Sequence, residues 1–321
     1  MEKIKSLYEK LKNNVSLSVV GAEKAVKFLC AALICGGHVI ITDVPGTGKT
    51  LLTKSLASSL SLSFSRIQFT PDLMPSDITG IRYFNMKKQE FEFLPGPVFA
   101  NVIMADEINR ATPKTQAGML ECMAERQVTV DGERHALPSP FMVIATQNPI
   151  ESSGVYELPE AQLDRFLISV SMGLPTHAQT VAILKKYDKQ TETPVLSAVA
   201  DADEIKAATA ELDSVFVSDD VFSYIVSICD GTRRAEGVEL GASPRAALAL
   251  LQVSKCFAAM SGRDYLLPDD VKECAVNVLS HRLVMTAAAS LKADAAEKAV
   301  ADVIVATAAP TENLSAYKLD K

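Results

Sequence analysis

Residues Asp43-Val44-Pro45-Gly46-Thr47-Gly48-Lys49-Thr50 put two glycines, a lysine and two hydroxyls into one short turn. The apolar run Val39-Ile40-Ile41 precedes it, and Leu51-Leu52-Thr53-Lys54-Ser55-Leu56-Ala57 follows at helical spacing. A strand, a glycine turn and a helix N-terminus in that order form a cradle for phosphates, because loop N–H groups and the helix dipole both attract anions. Lys49 would reach the β- and γ-phosphates of a nucleoside triphosphate, and the Thr50 hydroxyl would ligate Mg²⁺. The usual pattern opens with Gly where this chain has Asp43. A carboxylate there is unfavourable beside phosphates unless it points away, so nucleotide affinity is open at this position.

A second group of residues supplies what hydrolysis needs. Val102-Ile103-Met104-Ala105-Asp106-Glu107 reads as an apolar strand ending in two acids. Adjacent acids at a strand end point to different sides, so Asp106 can serve the metal while Glu107 polarises the attacking water. Ala145-Thr146-Gln147-Asn148-Pro149 ends another apolar run with an amide. Ligands sit at the carboxyl ends of parallel strands, which places Asn148 near the γ-phosphate or the water.

Two arginines complete the candidates. Arg165, in Leu163-Asp164-Arg165-Phe166, stands at the edge of a strand where it can project out of its own site. A planar, permanently charged guanidinium suits a transition-state oxyanion, and lent by a neighbouring subunit it makes hydrolysis depend on assembly. A local ion pair with Asp164 or Glu160 is the competing role. Arg245 falls in the first turn of a helix begun by Ser243-Pro244, from where it could reach the γ-phosphate or remain a surface charge.

The elements that must position these residues are legible as alternating strands and helices. Strands are expected at 38–42, 65–69, 102–105, 141–146 and 166–171, with helices at 22–35, 49–60, 115–125 and 160–164. This is the α/β pattern of a parallel sheet covered on both faces. Two inserts break the rhythm. Glu90-Phe91-Glu92-Phe93 alternates as a hairpin strand does, and Gln127–Val130 turns at Asp131-Gly132 into a returning strand, a strong hairpin signal. From Pro175 onward strand signals fade, and helices are expected at 176–187, 202–212, 219–230, 244–260, 268–286 and 293–307. A boundary near Gly173-Leu174-Pro175 therefore divides residues 1–174 from an all-helical domain at 175–321.

A net charge of −7 makes free nucleic acid an unfavoured partner. The longest apolar region, 28–41, is interrupted by Gly36-Gly37-His38, so no membrane span is expected. The charged, amphipathic start is unlike a secretory signal, and six cysteines without a C-x-x-C pair read as buried thiols of a cytoplasmic protein. The four histidines show no metal-ligand spacing.

Assembled, these residues make the chain resemble the AAA+ ATPases, and among them the MoxR family. The resemblance runs from about Val19 to Pro310. It is carried by Gly36-Gly37-His38-Val39, by residues 68–80 (Gln-Phe-Thr-Pro-Asp-Leu-Met-Pro-Ser-Asp-Ile-Thr-Gly), by Phe93–Ala100 and by Ala105–Ala111. Glu125–Gly132, Ala145–Ile150 and Glu160–Phe166 complete it. It implies an αβα nucleotide domain followed by a helical lid, with ATP between them. Residues 43–51, from Asp43 through Lys49 and Thr50 to Leu51, become the Walker A loop; Asp106 and Glu107 become Walker B, and Asn148 sensor 1. Arg165 becomes the arginine finger and Arg245 sensor 2, while Val20 and Gly21 border the adenine. Arg110 is a second candidate for reaching across a subunit boundary. The hairpins become inserts directed at a central pore or a partner. The family further implies a hexameric homo-oligomer acting on client proteins that are metal-dependent or carry von Willebrand factor A domains.

Two rivals remain at this level. A nucleic-acid motor shares such hairpins, but the tip Asp131-Gly132-Glu133-Arg134-His135 is of mixed charge and the first insert carries only Arg82, Lys87 and Lys88. A nucleotide switch that does not hydrolyse is opposed by the presence of Glu107, Asn148 and Arg165 together.

Overall fold

The computed structural model describes residues 1–148, 154–188 and 195–310. The chain divides into two compact units, Met1–Asp213 and Ser214–Lys321.

In the first unit, α1 (Glu2–Ser16) and α2 (Glu23–Ile34) lead into β1 (Val39–Thr42) and α3 (Lys49–Ser58). Then come β2 (Phe64–Gln68), α4 (Pro75–Thr79), the hairpin β3 (Gly80–Asn85) and β4 (Glu90–Pro95), and β5 (Val102–Asp106). The helix α5 (Pro113–Glu125) is followed by the hairpin β6 (Gln127–Val130) and β7 (Glu133–Ala136), then β8 (Met142–Gln147). The short α6 (Glu160–Leu163), β9 (Ile168–Val170), α7 (His177–Tyr187) and α8 (Ala202–Glu211) close the unit.

Five strands form one parallel sheet in the order β2-β5-β8-β1-β9. The inner strands β1, β5 and β8 are buried almost throughout, which is why their sequences are continuous apolar runs rather than alternating ones. Strand β2 lies at an edge and alternates in exposure, with only Ile67 buried. Ile103 and Ala105 of β5 and Val143 and Ala145 of β8 join a core with Met119 and Leu120 of α5 and with Phe69, Ile78 and Phe166. The pleat therefore sends Asp106 and Thr146 to the opposite face, where they meet.

The second hairpin turns through Asp131 (φ 50°) and Gly132 (φ 82°), two consecutive left-handed residues that an Asp-Gly pair adopts at low cost. In α1, Ile4, Leu7, Leu11 and Val15 are buried at helical spacing. Helix α8 packs on this end of the unit: Thr209 Oγ1 donates to Ile34 O at 2.8 Å, and Lys10 Nζ meets Glu204 Oε1 at 2.6 Å. The backbone is tied there too, by Ser61 N to Ala200 O and Val199 N to Ser59 O, each 2.8 Å. These bonds explain why the compact units part at 213/214 rather than near Gly173–Pro175: the segment after Pro175 begins as helix but is anchored to the sheet unit through residues 199–209.

The second unit contains α9 (Asp219–Arg234), β10 (Val238–Leu240), α10 (Pro244–Met260), α11 (Pro268–Leu279), β11 (Val284–Met285), α12 (Ala287–Ser290) and α13 (Ala295–Ala306). It is helical except for the two-stranded antiparallel ribbon β10–β11, which the fading strand signal did not announce. The helix expected at 268–286 stops at Leu279 and passes through a 3₁₀ turn at Ser280–Arg282 into β11. Ser243 caps α10, its side chain accepting from Ala246 N at 3.2 Å. No helix among the described residues is long and apolar enough to cross a membrane. All six cysteines are free, five of them buried.

Candidate functional site

The loop between β1 and α3 is held open by its glycines. Gly46 (φ 85°) and Gly48 (φ 90°) are left-handed, and a Cβ built at either would find no atom within 4 Å. The backbone is thus shaped as a cradle over free space, the form a phosphate group requires. Lys49 opens α3 and folds its side chain back over the loop, with Nζ 2.6 Å from Asp43 O and 3.4 Å from Gln147 O. The second contact reaches the end of β8, the neighbour of β1 in the sheet. Thr50 and Leu51 follow in the first turn of α3, each half-buried.

Asp43 does not face that cradle as a loose carboxylate. Its Oδ1 accepts from Ser171 Oγ at 3.0 Å and from Gly173 N at 3.2 Å, and its Oδ2 from Met172 N at 2.5 Å. Three donors beyond β9 absorb the charge that the sequence made a concern.

The two acids stand where β5 ends. Asp106 is 7% exposed and both its oxygens are engaged. Oδ1 accepts from Thr146 Oγ1 of β8 at 2.7 Å, and Oδ2 from Arg66 of β2 through Nε at 3.1 Å and Nη2 at 2.5 Å. Glu107 leaves the strand in the left-handed region (φ 57°, ψ 51°), uncommon outside glycine and a frequent mark of functional turns. Its N–H donates to Thr146 Oγ1 at 2.9 Å. Its Oε2 accepts from Gln68 Nε2 at 2.7 Å and from Arg110 Nη1 at 2.9 Å. Buried Gln116 of α5 fixes the following 3₁₀ turn, its Nε2 3.2 Å from both Ile108 O and Ala111 O. Asn148 is buried just past β8, its carbonyl accepting from Asn109 Nδ2 at 3.3 Å; Pro149 and Ile150 of the same motif lie outside the described residues.

The ends of β1, β5 and β8, neighbours in one sheet, so carry a glycine cradle, a lysine, two acids and an amide, linked through Lys49–Gln147 and Thr146–Asp106. Comparisons with known proteins give the family. The ATPase family associated with various cellular activities (AAA) matches residues 38–168, and the AAA lid domain matches 230–303. Chaperone MoxR1 of Mycobacterium tuberculosis is 40% identical over 84% of this chain and 73% of its own. The chain belongs to the MoxR family of AAA+ ATPases. Protein YeaC of Bacillus subtilis, uncharacterized, is 40% identical over 97% of both chains. A solved structure from Cytophaga hutchinsonii, described as a candidate ATPase, superposes with a TM-score of 0.87 at 34% identity, covering 97% of this chain and 98% of that one.

Within this MoxR-family ATPase the other expected residues are carried by other elements. Val20 and Gly21 precede α2, and a Cβ on Gly21 (φ 75°) would stand 2.3 Å from Gln179 Nε2 of α7. Arg165 Nη1 donates to Leu120 O of α5 at 2.6 Å. It lines a cavity of about 650 Å³ with Glu121, Glu125, Gln127, Arg134 and Gln162, to which neither the loop nor the β5 acids contribute. Arg245 is exposed in the first turn of α10, in the second unit. Among the described residues no cluster of three or more His, Cys, Asp or Glu side chains is arranged to hold a metal by itself.

Sequence reasoning did not anticipate Arg66, Gln68, Thr146 or Gln116. Thr146 precedes the amide motif and carried a signal in its place alone: a hydroxyl in an otherwise apolar strand.

Proposed function

We propose that this chain hydrolyses ATP with Mg²⁺ at the ends of β1, β5 and β8, and uses the energy to remodel or mature client proteins. The observation that carries this reading is the bonded path from Lys49 through the end of β8 to Asp106 and Glu107. The N–H groups of Val44 and of residues 46–50, with the Lys49 ammonium, bind the phosphates, with Val20 and Gly21 beside the base. Thr50 and Asp106 hold Mg²⁺, which supplies neutralising charge to the phosphate oxygens when bound. Glu107 orients the attacking water and accepts its proton; Asn148 positions the water or the γ-phosphate. Arg165 acts on the site of the next subunit in a homo-oligomeric, hexameric ring, and Arg245 senses the γ-phosphate from the second unit. Both assignments are supported by the residue pattern of the family. Arg110 is proposed to serve its own Glu107, given their 2.9 Å contact.

A protein client is supported by the chaperone name of the Mycobacterium relative, and a cytoplasmic setting is proposed on the cysteine pattern of the sequence. The family pattern favours metal-dependent or von Willebrand factor A-domain clients. The β3–β4 hairpin exposes Tyr83, Phe84, Met86 and Phe91, while Lys88 is paired with Glu92 and Arg82 with Glu133. Apolar side chains beside cations of which two of three are ion-paired suit a protein better than a phosphate backbone.

The test is Glu107→Gln. Hydrolysis should fall by about 10²–10⁴ with ATP binding retained, the range expected for losing a positioned base. Used as bait with ATP, the variant should retain a protein; recovery of nucleic acid in its place would overturn the client reading.

A further inference from the structure

The candidate site carries a cation of its own, Arg66, beside Asp106. We propose that Arg66 is a resident counter-ion of Asp106 that a divalent metal must displace, so that Arg66 sets how strongly metal and nucleotide binding are coupled. The inference rests on the assignment of Asp106 to the metal.

The sheet register creates the contact. Arg66 pairs with Met104 and Gln68 with Asp106, so Arg66 and Asp106 are diagonal neighbours on the same face of the sheet. Both guanidinium contacts, Nε at 3.1 Å and Nη2 at 2.5 Å, fall on Oδ2. Thr146 occupies Oδ1. Oδ2 is then the oxygen through which Asp106 could address a metal or a metal-bound water, and the arginine stands on it. A unit positive charge at that distance weakens the pull of the carboxylate on an incoming cation and holds its lone pairs.

The pair is built so that one partner can leave. The Asp106 side chain is 11% exposed and that of Arg66 is 42% exposed. The guanidinium can turn into solvent about its own torsions while the strand pairing stays intact. So exposed an arginine contributes little to stability through its ion pair, and an edge strand accepts many polar residues at such a position. A structural role alone therefore leaves the choice of arginine, aimed at this one oxygen, unexplained.

The displacement would also reach the second acid. Arg66 Nη2 lies 3.0 Å from Gln68 Oε1, and Gln68 Nε2 holds Glu107 Oε2 at 2.7 Å. Arrival of a metal at Asp106 thus removes the bond that orients the amide on Glu107. Metal occupancy of one acid then loosens one of the two side chains that hold the other, Arg110 remaining in place.

The experiment measures dissociation constants of the full chain for a ribose-labelled fluorescent ATP analogue, once with Mg²⁺ and once with EDTA. The ratio of the two constants is the coupling. Arg66→Gln should raise that ratio about fivefold, the change that ~1 kcal/mol of lost competition produces. Arg66→Lys keeps a charge but loses the two-point contact, so it should raise the ratio by less. Asp106→Asn should abolish most of the coupling in the native background. If Asp106→Asn does so while Arg66→Gln leaves the ratio unchanged or lower, the role of Arg66 is wrong and that of Asp106 stands. If Asp106→Asn leaves the coupling intact, the metal assignment fails and the inference falls with it.

Discussion

The Thr146 hydroxyl donates to Asp106 Oδ1 at 2.7 Å and accepts the Glu107 N–H at 2.9 Å, so one side chain of β8 fixes both acids of β5. Thr146 is 1% exposed, and no solvent can replace it. Thr146→Val keeps the shape and the β-branched preference but strips both bonds. Unfolding in urea should show a loss of roughly 2–4 kcal/mol, the cost of a charged and a backbone group left with fewer partners. Turnover should drop further than stability accounts for at working temperature, since Glu107 loses its anchor. A variant as stable and as active as the native chain would make the bridge incidental.

His38 gives a pH dependence of defined sign. Val143 N donates to Nδ1 at 3.0 Å, so Nδ1 must be an acceptor and Nε2 carries the proton, 3.1 Å from Met123 O. Burial, with a smaller push from the charge of Arg126 and against the bond to Met123, lowers its pKa from 6.5 to about 4. The unfolded chain therefore binds more protons than the folded one between those values. The contribution is complete above pH 6.5 and is lost as pH falls toward 4, up to about 3 kcal/mol in all. Denaturant unfolding between pH 7.5 and 4.5 checks the size, and an NMR titration of the imidazole checks the cause. A His38 midpoint near the ordinary histidine value would refute it.

Asp43 separates two explanations of its departure from the usual glycine. If the carboxylate served the nucleotide, Asp43→Ala would change affinity first. The bonds to Ser171, Met172 and Gly173 predict instead a loss of roughly 2–4 kcal/mol of stability, because the N–H donors beyond β9 lose a charged acceptor. ATP affinity of the folded fraction should stay within about threefold, the loop being set by Gly46 and Gly48. Thermal melts alongside nucleotide titration distinguish the two.

What could be read without coordinates had local causes. Val39–Ile41, Val102–Ala105 and Met142–Ala145 announce themselves because a central parallel strand is apolar on both faces, and Asp131-Gly132 because its turn needs left-handed residues. Helices 177–187 and 202–211 were legible as helices but not as members of the first unit. That membership depends on Thr209 meeting Ile34 and Ala200 meeting Ser61, which no periodicity encodes. Strands β10 and β11 are too short to show alternation. Arg66 reads as an ordinary charge on an edge strand until register sets it beside Asp106.

Arg165 offers the sharpest test of shared catalysis. Its guanidinium rests on Leu120 O, in a cavity with Glu121 and Glu125 and apart from the loop and the β5 acids. Leu120 O takes one of its five N–H donors, and the pocket the guanidinium serves is proposed to be a neighbour's. Arg165→Ala should cut turnover by about 10³–10⁵ while leaving ATP affinity near native, as removal of an arginine finger does. Glu107→Gln should also be nearly silent, down by about 10²–10⁴. Mixed in equal amounts and allowed to exchange subunits, the two variants should recover activity. A subunit that keeps Glu107 then sits beside one that keeps Arg165, and some junctions become complete. An arginine working within its own chain predicts no recovery at any ratio, because every subunit in the mixture is broken in itself.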